Sequence, residues 1–177
     1  AVDGVLDLSN WNFETDGLVD LQGEWRFVWE EFVQPMPSNL FRGRYKDTAQ
    51  VPGRWEHVHS ESSSERQAQL GYATYALEIH LPPNIDSSSL AFSSTIANCA
   101  STWQLYSADA AQQLGILTHG KIGTSLASTS PQSYEEVSPL AAGGGNTIVL
   151  WVQVSNYQDR VGGIQGTPQL GERTLML

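Results

Sequence analysis

The chain has 177 residues, the length of one domain, and can bury about 70% of its unfolded surface without covalent staples. Nine basic against nineteen acidic residues give a net charge of −10, which repels phosphate backbones and anionic lipid and argues against nucleic acid as a partner. One cysteine, Cys99, excludes an intrachain disulfide and a cysteine-built zinc site within one chain, and the residues contain neither a signal-peptide pattern nor an apolar run of about 18.

Trp, Tyr, Val, Thr and Ile are interleaved with turn residues at short spacing, and no segment keeps a helical period for three turns, so the domain is expected to be all-β. In chain order the expected strands are Val5 to Leu8, Gln22 to Trp29, Thr48 to Val51, Tyr72 to Leu81, Leu90 to Ile96, Thr102 to Ser107, Gln113 to Thr118, Ser133 to Val137 and Thr147 to Ser155. In the strand over 22–29, Trp25, Phe27 and Trp29 point one way and Glu24 and Arg26 the other. In the strand over 72–81, Tyr75, Leu77, Ile79 and Leu81 oppose Thr74, Glu78 and His80. Between these, Glu30 to Leu40 has room for a short helical turn limited by Pro35 and Pro37. Ser60 to Gln69, Pro82 to Ser89 and Ala141 to Asn146 read as loops by composition. About nine strands in one domain suggest a two-sheet jelly-roll sandwich, whose ligands sit on loops at one end or on a concave sheet face.

The last expected strand is the most informative. Ile148, Leu150, Val152 and Val154 share one face, Trp151 and Gln153 the other, and the strand delivers Asn156, Asp159 and Arg160 to a Gly162-Gly163 turn. An amide, a carboxylate and a guanidinium beside glycines suit a polyol or anion. The same groups also suit a hydrogen-bond knot that pins the loop, and the residues alone leave both readings open. Trp55 follows the turn Val51-Pro52-Gly53-Arg54, which places its ring either over a sugar face or as a cap on the core. His57 and Lys121 are weaker ligand-binding candidates on neighbouring loops.

Catalytic and metal patterns do not assemble. His57 and His59 with Glu65 and Gly71 approach a cupin-type metal motif, but the spacings are wrong and no second half lies around His119, so no metal ligands are assigned. Glu30-Glu31 and Glu135-Glu136 are adjacent pairs whose side chains diverge on an extended chain, so neither flanks one glycosidic bond. Nucleophile-elbow, Walker and Rossmann fingerprints do not occur. The chain is therefore read as a binding module with no enzymatic activity and no cofactor.

Four motifs stand in order: Leu21-Gln22-Gly23-Glu24-Trp25, Val51-Pro52-Gly53-Arg54-Trp55, Gly71-Tyr72-Ala73-Thr74-Tyr75, and Asn146 to Leu150 leading to Asn156 and Gly162-Gly163. The series resembles the galactose-binding-like jelly roll of family 2 glycosidases. It is still more similar to the exported sensor domain of bacterial seven-transmembrane receptors with diverse intracellular signalling modules, whose Gly-x-x-Gly stretch Gly120-Lys121-Ile122-Gly123 fits. The resemblance runs from about Gly4 to Gly171 and departs at Ser107-Ala108-Asp109-Ala110-Ala111, where both families have an Asn-Gly turn.

The receptor resemblance implies a single ligand-sensing domain over residues 1–177, on the periplasmic or extracellular face of a bacterial inner membrane protein. Its partners would be a carbohydrate or other small molecule and the receptor's own transmembrane and intracellular signalling regions beyond Leu177. Trp55 would then stack on the ligand, Asn156 and Arg160 would bind its hydroxyls or carboxylate, and Asp159 would orient Arg160. The rival reading is a non-catalytic sugar-binding accessory domain of a glycoside hydrolase. A third is a structural or dimerising module, which leaves a homodimer open. Jelly rolls of this type often carry a structural calcium ion; Asp3 to Asp20 is the region for one, with acidic residues too scattered to assign.

Overall fold

The computed structural model describes residues 1–45, 47–58, 69–95, 99–132 and 135–177. Eleven strands among these form two sheets. The larger contains β1 (Val5–Asp7), β3 (Gly23–Trp29), β4 (Asp47–Val51), β5 (Gly71–His80), β7 (Ala100–Ser107), β8 (Gln113–His119) and β10 (Thr147–Asn156), in the order β4-β3-β5-β10-β7-β8, with β1 parallel to β5. The smaller runs β2-β11-β6-β9, from β2 (Val19–Asp20), β11 (Gln169–Glu172), β6 (Leu90–Thr95) and β9 (Glu135–Pro139). The expected two-sheet all-β sandwich is the observed fold. Within the described residues no helix is long and apolar enough to cross a membrane.

β10 occupies the middle because its two faces are both apolar enough to be covered. Ile148, Leu150, Val152 and Val154 enter the space between the sheets, with Leu77 and Leu105 flanking Leu150 and with Tyr75 and Trp103 flanking Val152 across the antiparallel ladders. Trp25 meets Tyr75 and Trp103 edge-on, each at 6.4 Å between ring centroids. A buried indole removes 150–250 Å² from water, about 5 kcal/mol of transfer free energy before ordering entropy, so these rings dominate the core.

The opposite face of the large sheet is also buried, which alternation had not indicated. Residues 30–45 cross it as a strap ending in a short helix, Ser38–Arg44. Phe41 packs on Trp151 at 5.1 Å, with Val33 and Tyr45 beside it. Polar side chains on that face serve the strap's backbone: Thr74 Oγ1 accepts from Val33 N (3.0 Å) and donates to Glu31 O (2.6 Å), and Gln153 Nε2 donates to Val33 O (3.1 Å). Glu78, 1% exposed, accepts from Arg42 Nη2 at 2.5 Å and lies 3.1 Å from His80 Nε2. Burial opposes its charge, yet the Arg42 and His80 hydrogen bonds prevail and hold its carboxyl below the usual range. The helical turn expected within Glu30 to Leu40 forms later, because Pro37 can precede a helix and cannot continue one.

Expected strands match observed ones within one or two residues wherever both are described; Ile96, Ser133 and Tyr134 lie outside the described residues, as does most of the 60–69 loop. β2 and β11 were not anticipated. Each has one apolar residue, Val19 and Leu170, and β11 follows a proline, so neither carries a periodic signal. The pairing of β11 with β2 on one side and β6 on the other exists only in the assembled sandwich.

Candidate functional site

The register brings the loops after β8 and β10 to one end; β4 finishes toward the other, and the chain leaving it doubles back to join them. Asn156 pairs with Gly71, Ser155 with Ala100 and Ser101 with His119, so β10 and β8 both finish there. The chain leaving β4 joins them through backbone bonds from Gly53 N to Ile164 O (2.8 Å) and from Trp55 N to Gly162 O (3.0 Å). The Trp55–His57 turn, the Lys121 loop and the 156–163 loop, which together carry every ligand-binding residue expected from sequence, therefore share one end of the sandwich.

Trp55 does not offer a stacking platform. Its ring is 0% exposed, lies edge-on to Trp29 at 5.0 Å, and donates its indole N–H to Gln69 O at 3.1 Å. The chain turns inward after Val51 because its backbone pairs with the returning 162–164 segment. Gly162 permits that approach: a Cβ there would stand 2.2 Å from the Trp55 ring. Gly163, at φ +119°, takes a conformation that side-chain-bearing residues rarely adopt, with its missing Cβ position 2.7 Å from Gly53 O. The Val-Pro-Gly-Arg-Trp and Gly-Gly motifs are thus two halves of one fastening.

Asn156 belongs to the same fastening rather than to an open site. It is 1% exposed; its Nδ2 donates to Gln69 O and Asp159 O, both at 3.0 Å, and its Oδ1 accepts from Asp159 N at 3.0 Å. Both amide hydrogens are used, so no donor remains for a ligand. Asp159 does not orient Arg160: its Oδ1 accepts from Val161 N at 3.0 Å, and no ion pair joins the two among the described residues. Cys99 is buried here too, 3.8 Å from Val161 O, its thiol pushed up to about 12 by desolvation. Of the two readings of this loop, the knot describes Asn156 and Asp159.

Exposed cations remain around the fastening. Arg160 and Lys121 are exposed, and Lys121 stands on a small ladder with Ser130 (2.8 and 2.9 Å). Gly123 N donates to Ser155 Oγ (3.2 Å) and Tyr157 Oη to Thr124 O (2.7 Å), tying that loop to the end of β10. His57 has a side chain 68% exposed. With Arg54, Thr48, Gln50, Pro52, Gly53 and Val58 it lines a depression of about 540 Å³ beside β4. Glu56 anchors this rim: it accepts from Gln69 Nε2 (3.1 Å) and from Arg54 (3.3 Å), and those bonds, Gln69's first, hold its carboxyl below the usual range. Arg54 is not among the residues expected to bind a ligand, although a permanent cation in a turn of so acidic a chain is itself a signal. Guanidinium, imidazole, amide and hydroxyl groups on one rim can bind carboxylate and hydroxyl oxygens.

The other polar features are structural. Ser94 Oγ lies 2.8 Å from His119 Nε2, but both are buried between the sheets, and burial holds the imidazole below its ordinary value despite Glu136. The Asp109 carboxylate rebuilds the hairpin that departs from Asn-Gly, accepting from Ser107 Oγ (2.6 Å) and Ala111 N (3.0 Å). In the region considered for calcium, Asp7 and Asp16 accept from Ser9 N and Asn12 N, each at 2.9 Å.

No family model matches the chain, and no curated protein matches it. Solved structures do. A β-glucuronidase from Faecalibacterium prausnitzii matches with TM-score 0.53 and 13% identity over 86% of this chain and 31% of its own. Ruminococcus gnavus β-glucuronidase in complex with uronic isofagomine matches at 0.52 and 12%, over 86% of this chain and 27% of its own; its complex with D-glucaro 1,5-lactone gives 0.51 and 11%, over 86% and 28%. The class is therefore an all-β sandwich domain of the kind built into these glycosidases. This chain spans less than a third of their length, and the likeness is one of fold.

Proposed function

We propose that this domain is a non-catalytic recognition module for a hydroxylated ligand bearing a carboxylate, a carbohydrate acid foremost, working on the extracytoplasmic face of a membrane signalling receptor. The observation that carries the reading is electrostatic. In a chain of net charge −10, Arg54, His57, Lys121 and Arg160 are exposed on loops at one end, on a frame fastened by Asn156, Trp55 and Gly162. Arg54 and His57 share Glu56, whereas Lys121 and Arg160 make no ion pair among the described residues and offer their charge to an anion at that end. A ligand that favours one arrangement of the loops would shift their population and pass the change to the regions beyond Leu177.

The second reading, an accessory sugar-binding domain of a glycoside hydrolase, is favoured by the fold likeness to one part of the β-glucuronidases. Sequence beyond Leu177 separates the two: seven apolar spans support the receptor, alternating strands and helices the hydrolase. For the site, the domain is titrated with glucuronate, galacturonate and their neutral parent sugars by calorimetry and on a glycan array. Binding of acidic sugars that weakens about fivefold in each of Arg160→Ala and Arg54→Ala is expected. Absence of any acidic hit, or an affinity unchanged in the double variant, would overturn the proposal.

A further inference from the structure

At the opposite end, where β5 finishes and Pro82–Ile85 begins, a second cleft of about 450 Å³ is lined by Trp11, Asn12, Phe13, Glu14, Pro82, Pro83, Asn84, Ile85, Ser89 and Glu172. Its frame is rigid. Phe13 is buried in the core; the Asn12 side chain accepts from Glu14 N (3.0 Å) and Thr15 N (3.3 Å); Asp86 accepts from Ser88 N at 3.0 Å; two consecutive prolines form one wall. The half-buried Trp11 is fixed by its indole N–H bond to Gly17 O at 3.1 Å and borders the cleft.

The lining has a distinct chemistry. Glu14, Asn84 and Glu172 make no side-chain hydrogen bond or ion pair among the described residues, so their polar atoms are available to a ligand. No Lys, Arg or His lines the cleft, whose formal charge is −2. An aromatic ring with two carboxylates attracts a cation that has an apolar face; the Asn84 amide adds hydroxyl recognition, and the Ser89 oxygen, whose own hydrogen goes to Asp86 O at 2.7 Å, adds an acceptor. A uronate, suited to the cationic end, is repelled here.

We propose that this cleft is a binding site for an amino sugar, a pyranose carrying a protonated amine: its ring lies against Trp11, the ammonium between Glu14 and Glu172, and its hydroxyls meet Asn84 and Ser89. The inference stands on a different end of the molecule from the carbohydrate-acid site and does not depend on it.

The test titrates the isotope-labelled domain with D-glucosamine below the pH at which its amine is lost, with glucose and glucuronate as controls, following amide and indole signals by NMR. Expected are shifts confined to Trp11 Nε1–H, Asn84 and their neighbours. Binding should weaken about fivefold in each of Glu14→Gln and Glu172→Gln, surface changes that leave the fold intact, and again at high salt. Glucose binding as tightly as glucosamine, shifts elsewhere only, or affinity within twofold in the double glutamine variant would overturn the proposal. Glucuronate shifting residues of the 54–57 and 157–160 loops bears on the other site alone.

Discussion

Asn156→Ala separates a fastening from a ligand contact. The substitution removes three hydrogen bonds of 3.0 Å at a residue 1% exposed; Asp159 O and Asp159 N lose their Asn156 partner, while Gln69 O keeps only its bond from Trp55 Nε1. Each such bond is worth about 1 kcal/mol net, and buried groups left unsatisfied add desolvation cost, so a loss of about 3 kcal/mol is expected. For a domain of this size that lowers Tm by about 6–12 °C. The control is Arg160→Ala, four residues on and exposed, which should stay within about 0.5 kcal/mol of the parent protein. Urea denaturation followed by tryptophan fluorescence measures both. An Asn156→Ala protein of parental stability, or one whose stability loss equals that of Arg160→Ala, would refute the structural role and return Asn156 to the ligand-binding set.

Gly162→Ala should cost about 2–3 kcal/mol, since the new methyl group meets the immobile Trp55 ring at 2.2 Å, and equilibrium unfolding will register it. Stability should fall as pH drops, in two stages. His119, whose folded pKa lies below its ordinary 6.5, takes up its proton first in the unfolded chain, so stability declines from about pH 6.5 downward. Glu78, whose folded pKa lies below its ordinary 4.5, stabilises above that pH and loses its contribution as pH falls through the lowered value. Unfolding free energies against pH for His119→Gln should flatten the first stage only, and an unchanged slope there would contradict the assignment. Cys99, buried with its thiol pushed up to about 12, should react with a thiol reagent only at the rate of unfolding, and fast labelling of the native domain would disprove that burial.

The expected site residues divide between exposed side chains and members of the fastening. Exposure of His57, Lys121 and Arg160 follows from their being charged or polar residues in turns, which is readable along the chain. The inward course of Trp55 is not, because a tryptophan after a Pro-Gly turn satisfies both an exposed and a buried reading until the 162–164 backbone returns to pair with it. Asn156 hides its role similarly: an amide at a strand end looks available for a ligand, and only pairing with β5, which brings Gln69 O beside it, uses its last donor.

By itself the sequence determined the all-β class, the long strands and their core-facing residues, because period-two alternation and aromatic content act locally and cooperate along each strand. Tertiary structure alone decided which faces are covered. The 30–45 strap buries Thr74, Glu78 and Gln153, residues whose polarity points to solvent, because its own backbone and Arg42 supply their partners. It also decided the pairing of β2 with β11 and the cleft that brings Trp11 and Asn84 to Glu172, contacts between segments far apart in the chain. No local pattern encodes such contacts, since their free energy arises only when the two sheets close on each other.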